Sequence, residues 1–217
     1  FGLEREYLNE ADLGELFAST SLPGLACYYR WQYDGEPVPE SDAERMEILR
    51  TAVRAGARAV DVVGDTFDPT PGPEEFSEAA TEYALDPDSP PREVFADEPA
   101  IERQQREIEA IHELGGEVQM TAHTRTHLTP EEAVDVGRRF QERGADMVKV
   151  VGVDRSWEDL LDTLEATVRM DRELDVPFAM MSHGEHGVLG RYVAPFLGSM
   201  LCFTQHEYQP GGFHLQP

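Results

Sequence analysis

Lysine is almost missing from this chain. Lys149 is its only example, and every other basic residue is arginine. Positive charge of either kind is scarce: 18 Lys and Arg stand against 43 Asp and Glu, a formal charge of −25. Such a surface repels DNA, RNA and anionic lipid, which argues against nucleic-acid and membrane-surface partners. The acids run along the whole chain, and a carboxylate-rich surface suits a high-salt cytoplasm, where screening relieves self-repulsion. Cysteine is scarce too. Cys27 and Cys202 lie far apart in apolar segments, without metal-type spacing, and read as two buried, reduced thiols of a cytosolic protein. No apolar run approaches the roughly 20 residues of a membrane helix, and no signal-peptide pattern is evident, so a cytoplasmic location is expected. A Gly-rich phosphate fingerprint is also lacking. Gly184-Glu185-His186-Gly187 comes nearest and matches neither the dinucleotide nor the phosphate-loop spacing.

What the 217 residues do contain is alternation. Short apolar runs at 25–29, 59–63, 117–121, 147–151, 178–181 and 200–203 read as buried parallel strands. Helical patterns lie between them. Residues 41–55 open with the capping box Ser41-Asp42-Ala43-Glu44, residues 100–114 end at Gly115-Gly116, Thr129-Pro130 opens a third, and 156–174 forms a fourth. Repeated strand–helix units predict an α/β fold with a parallel sheet. Without a nucleotide fingerprint, the (β/α)8 TIM barrel is favoured over an open sheet. A seventh strand is expected near residues 1–6, and a first strand ahead of Phe1 would complete eight. The whole chain, 1–217, reads as one barrel domain. Its Pro- and acid-rich stretch 67–99 is too poor in apolar residues for a second domain and reads as a surface insertion or lid after the fourth barrel strand.

Working groups of parallel α/β folds lie at the carboxyl ends of the strands. That rule collects Arg30, Asp61, Asp65, His123, Lys149, His183, Gln205 and His206, with Arg191 expected to open the helix before the last strand. The chemistry such a set suits is carbonyl activation through an imine. An amine in an apolar, partly dry pocket, with Arg30 or Arg191 nearby, gives up its proton more readily and attacks a ketone as the free base. The protonated imine then draws electrons from the adjacent carbon. His123 is the candidate to move the proton released there, and Arg191 to grip a substrate carboxylate.

These residues resemble the type I 3-dehydroquinate dehydratases. Gly144-Ala145-Asp146-Met147-Val148-Lys149-Val150 looks like that family's Schiff-base strand, and Val118-Gln119-Met120-Thr121-Ala122-His123 with Thr129-Pro130 like its catalytic-histidine strand. Met181-Ser182, Gly190-Arg191 and Gly198-Ser199 look like its Met-Ser, Ser-Arg and Gly-Ser segments; residues 25–30 with Asp34-Gly35 resemble its arginine strand and acidic turn. The resemblance implies a cofactor-free homodimeric barrel that dehydrates 3-dehydroquinate, or a related cyclic keto acid, to 3-dehydroshikimate. It implies an imine at Lys149, proton transfer by His123 with Asp34 as its carboxylate partner, and a substrate carboxylate on Arg191. Arg30, His183 and Gln209 fall at substrate-binding positions. Three features depart from the pattern: residues 2–6 do not match the family's Glu-x-Arg-x-Asp strand, Tyr208-Gln209-Pro210-Gly211-Gly212 replaces Ser-x-Pro-Gly-Gln, and His183 replaces a methionine.

Two other readings use the same residues. His123, His127, His183 and His186, with Asp61 or Asp65, would form a metal-dependent hydrolase site. A barrel with an altered substrate clamp would instead bind its ligand without turnover.

Overall fold

The computed structural model describes residues 9–30, 41–69, 86 and 89–203. Five strands, β1 (Leu25–Cys27), β2 (Ala59–Val63), β3 (Glu117–His123), β4 (Met147–Val153) and β5 (Phe178–His183), form one parallel sheet in the order of the sequence. An open doubly wound sheet reverses direction partway; this one steps the same way at every crossover. Right-handed crossovers taken in one direction place every helix on the same face, which is how a (β/α)8 barrel is wound. The five described strands form an arc of that kind.

The helices are α1 (Glu10–Ala18), α2 (Asp42–Arg54), α3 (Glu98–Glu113), α4 (Pro130–Glu142), α5 (Trp157–Glu173) and α6 (Gly187–Val193), followed by a 3-10 turn at Ala194–Leu197. Their starts are written locally. Ser41 with Glu44 and Thr129 with Glu132 both close full capping boxes, and Ser156 caps α5. Among the described residues no helix is long and apolar enough to cross a membrane.

Alternation along each strand separates two environments. Ala26, Val60, Val62, Val118, Met120, Ala122, Val148, Val150, Phe178 and Met180 belong to one cluster with the helix residues Leu49, Ile108, Phe140 and Met170. This is the layer between sheet and helices. The other face carries a small second cluster, Val151, Ala179 and Met181, with Met200 and Leu201 packed on it. The same face holds buried polar groups: Asp61, Gln119, Thr121 and Lys149. Register confirms that they are neighbours, since Cys27 pairs with Asp61, Asp61 with Gln119, Thr121 with Lys149, and Lys149 with Ala179.

The structure corrects four expectations. Residues 200–203 do not form a strand: the Met200 amide donates to the Phe178 carbonyl (2.7 Å), after which Cys202 and Phe203 are exposed. Cys202 is therefore not a buried thiol, and Cys27 is only partly covered. Arg191 lies near the end of α6 and not at its start. Helix α3 begins two residues early, capped by Asp97 and so inside the stretch read as insertion. Asp34, Gln205, His206, Gln209, residues 1–6 and the Tyr208-to-Gly212 segment lie outside the described residues.

Candidate active site

Lys149 enters the barrel interior because it alternates with Val148 and Val150, which face the helices. Its Nζ donates to the Tyr29 hydroxyl (3.0 Å) and to Asp61 Oδ2 (3.3 Å). The same Asp61 oxygen accepts from Tyr29 OH (2.7 Å) and from Gln119 Nε2 (2.9 Å), with Cys27 Sγ at 3.8 Å. Strands β1, β3 and β4, together with Tyr29 just after β1, thus converge on one carboxylate. Burial pushes Asp61 towards its neutral form, yet the Lys149 charge and hydrogen bonds to the carboxylate outweigh it and hold the carboxyl below its ordinary value. Burial and the Asp61 charge act the other way on the neighbouring acids: Tyr29 is held well above its ordinary value, and the Cys27 thiol is pushed up to about 12. Both stay protonated at neutral pH. The charge beside Nζ is therefore negative, not the arginine field expected from the sequence. Asp61 Oδ1 and Gln119 Oε1 are buried without a partner among the described residues, which leaves two acceptors beside the amine.

His123 ends β3 on the same face, and its ring meets the Tyr29 ring edge-on at 5.5 Å. Tyr29 thus touches both the amine and the imidazole. Glu93 grips His123 from the far side. One oxygen, Oε2, accepts from the His123 backbone N–H (2.7 Å) and lies 3.0 Å from Nδ1. Burial would raise the Glu93 carboxyl, but the charge and hydrogen bonds of His123 and the nearby Arg92 bring it down to about 2.

The other sequence candidates are held by partners of their own. Arg30 is engaged on both sides: Nε and Nη2 donate to Asp42 (3.2 and 3.0 Å), Nη1 to Asp65 Oδ1 (2.6 Å) and Nη2 to the Asp65 carbonyl (2.9 Å). Arg191 is buried, donates from Nε to the Ser182 carbonyl (2.9 Å), and places Nη2 3.3 Å from His183 Nδ1. Burial lowers its guanidinium from the ordinary value. The histidines proposed as metal ligands are dispersed: His127 lies 3.2 Å from Asp162, and His186 meets Trp157 edge-on. Among the described residues no three His, Cys, Asp or Glu side chains converge as a metal site would require.

Sequence reasoning gave no role to Tyr29, Gln119 or Glu93. Tyr29 had a signal in standing next to Arg30 just after a strand. Gln119 is a polar inward position of β3, readable from alternation alone. Glu93 had no local signal, because its approach depends on how a long loop folds back.

Comparison with known proteins agrees with this geometry. The family model described as type I 3-dehydroquinase matches residues 94–215, more than half of the chain. A 3-dehydroquinate dehydratase of Clostridium kluyveri is 35% identical over 99 residues, which cover 44% of this chain and 38% of that protein. That of Aromatoleum aromaticum is 27% identical over 198 residues, 89% of this chain and 64% of the relative. The chain thus spans less than two thirds of the curated relatives it matches. The crystal structure of the Clostridium difficile type I enzyme with covalently modified comenic acid superposes with a TM-score of 0.68 at 20% identity, over 96% of this chain and 72% of that one. The Geobacillus kaustophilus 3-dehydroquinate dehydratase gives 0.65 at 20% identity, over 92% and 65%. Both are alike in fold. Strand order, the inward lysine and the match over residues 94–215 lead to one assignment: the chain belongs to the type I 3-dehydroquinase family.

Proposed function

We propose that this protein dehydrates 3-dehydroquinate, or a closely related cyclic keto acid, to 3-dehydroshikimate through an imine at Lys149. One observation carries the reading: the chain's only lysine is held on the barrel's inner face by Tyr29 and Asp61, with His123 across the same tyrosine.

The steps follow from those contacts. The Lys149 ammonium must first pass on a proton, and the Asp61 carboxylate is within reach both directly and through the Tyr29 hydroxyl, which donates to it. The free amine adds to the C3 carbonyl, and loss of water leaves a protonated imine. That cation withdraws electrons from C2, so a base can take a proton there. His123 is the base. It returns the proton to the hydroxyl on C1 as the C1–O bond breaks, and the leaving group departs as water. Hydrolysis of the imine consumes the water released at the first step and restores the lysine. Arg191 binds the substrate carboxylate, with His183 held against it. Arg30 and Gln209 take the substrate-binding roles the family resemblance implies.

Two wider expectations accompany this reading. A homodimer is supported by exposed Trp157 and Leu161 on α5, Leu189 and Tyr192 on α6, and Phe196 beyond them. Sedimentation at low and high salt tests it. A cytoplasmic location rests on the sequence reading alone and is tested by fractionation.

The enzymatic test is turnover of 3-dehydroquinate, followed by the absorbance of the conjugated product, in the parent and in Lys149→Ala. The parent is expected to be active and the variant to lose all turnover. Activity retained in Lys149→Ala removes the imine, and tight binding without product in the parent means a ligand-binding barrel.

A further inference from the structure

The insertion between β2 and α3 has so far been a loop without a task. We infer that it supplies Glu93 as the positioning carboxylate of His123, the role the sequence resemblance gives to Asp34. This deepens the dehydratase reading and rests on it for His123 being the base.

The geometry is specific. A single buried oxygen of Glu93 faces both the backbone N–H and the ring Nδ1 of one residue. An ionised carboxylate can only accept, so Nδ1 must carry the hydrogen. The neutral ring then has its bare nitrogen at Nε2, which is the form a proton-abstracting base needs. Nδ1 holds one hydrogen, and Glu93 takes it. The backbone contact fixes the end of β3 at the same time, so strand end and ring move as a unit.

The loop is built to keep Glu93 there. Its backbone is left-handed, with φ of 60°, a conformation that costs a non-glycine residue free energy and persists only where neighbours impose it. Those neighbours are present on both sides. The Arg92 amide donates to the Thr124 carbonyl (3.0 Å), tying the loop to the residue after His123. Arg143 reaches from the end of α4 to bridge the Val94 carbonyl (3.2 Å) and the Gly64 carbonyl (2.7 Å) at the end of β2. Gly64 lets the loop close: a Cβ there would collide with the Glu93 carbonyl and the Phe140 ring. The charged groups facing Glu93 are His123, Arg92 and Asp65, the last held by Arg30. Burial and the Glu93 charge push Asp65 above its ordinary value, against the opposing pull of Arg30.

The test compares the full chain with Glu93→Gln and Glu93→Ala. Gln keeps the shape and an accepting oxygen but removes the charge; Ala removes both. In turnover of 3-dehydroquinate, Glu93→Ala is expected to lose on the order of 10²-fold in kcat with KM little changed. In Glu93→Gln the acid limb of kcat/KM is expected to move to lower pH, because the imidazolium loses its counter-charge. Nitrogen-15 NMR of His123 without substrate adds a readout independent of turnover. The neutral ring is expected as the Nδ1–H form in the parent and Glu93→Gln, shifting towards Nε2–H in Glu93→Ala. Unchanged kcat, pH limb and tautomer in variants of an active parent would overturn the inference. A parent without dehydratase activity would refute the proposed function instead, and the tautomer comparison would still decide the pairing.

Discussion

Lys149 and Asp61 form a buried ion pair at 3.3 Å whose members sit on strands separated by β3. Breaking such a pair leaves an uncompensated charge in a dry interior. Asp61→Asn is therefore expected to lose about 3–5 kcal/mol of stability in urea unfolding. Asp61→Asn should also lower turnover, since the carboxylate able to take the ammonium's proton is gone. Glu93 makes a pH-dependent contribution of definite sign. Its carboxyl lies near 2 in the fold against 4.5 as its ordinary value, so the unfolded chain binds the proton first as pH falls. The stability it adds is complete above the ordinary value and is lost between there and the folded one. The stability gap between the parent and Glu93→Gln should be widest near neutrality and narrow as pH falls from 4.5 towards 2. At this scale Lys149 was legible, as a lone lysine inside an apolar run, and His123 as the polar end of a strand. Glu93 was not, because no periodicity or spacing connects residue 93 to residue 123. Nor was the sign of the field at Nζ, which depends on which face of β2 carries Asp61.

The elements were easier to read than their meeting points. Ser41 and Thr129 announced their helices because capping is settled within four residues. The run at 200–203 misled because apolar composition alone fixes neither burial nor a strand ladder: Met200 makes one backbone bond to Phe178, and Cys202 and Phe203 are exposed. What sequence could not supply was the joint formed by β2, α4 and the insertion. Arg143 is central to it. Burial lowers its guanidinium to about 10, and its donors hold Gly64 and Val94 together with Gln104. Gly64→Ala should force apart the strand end and the Glu93 loop. The expected cost is about 1–3 kcal/mol, typical of overpacking. A kcat loss resembling that of Glu93→Ala should accompany it, checked by thermal melting and steady-state kinetics on the same sample. If Gly64→Ala melts early but keeps the parental kcat per folded molecule, the joint is structural only.

At the scale of the molecule, two features dominate: a barrel wound in one sense and a net charge of −25. The first brings polar groups from β2, β3 and β4 to a common interior, and the alternation of strands and helices made that fold legible. The second is self-repulsion, which weakens the compact state at low ionic strength. The melting midpoint should rise between dilute buffer and about 1 M KCl, where charges are screened beyond about 3 Å. A midpoint independent of salt would mean that the acids are already compensated in the folded chain.

The most direct measurement is reductive trapping. The protein is incubated with 3-dehydroquinate, reduced with borohydride, digested and weighed by mass spectrometry. One ligand-derived adduct is expected per chain, on the peptide containing Lys149 and absent from Lys149→Ala. An active enzyme that yields no adduct, or carries it on any other residue, would contradict the account.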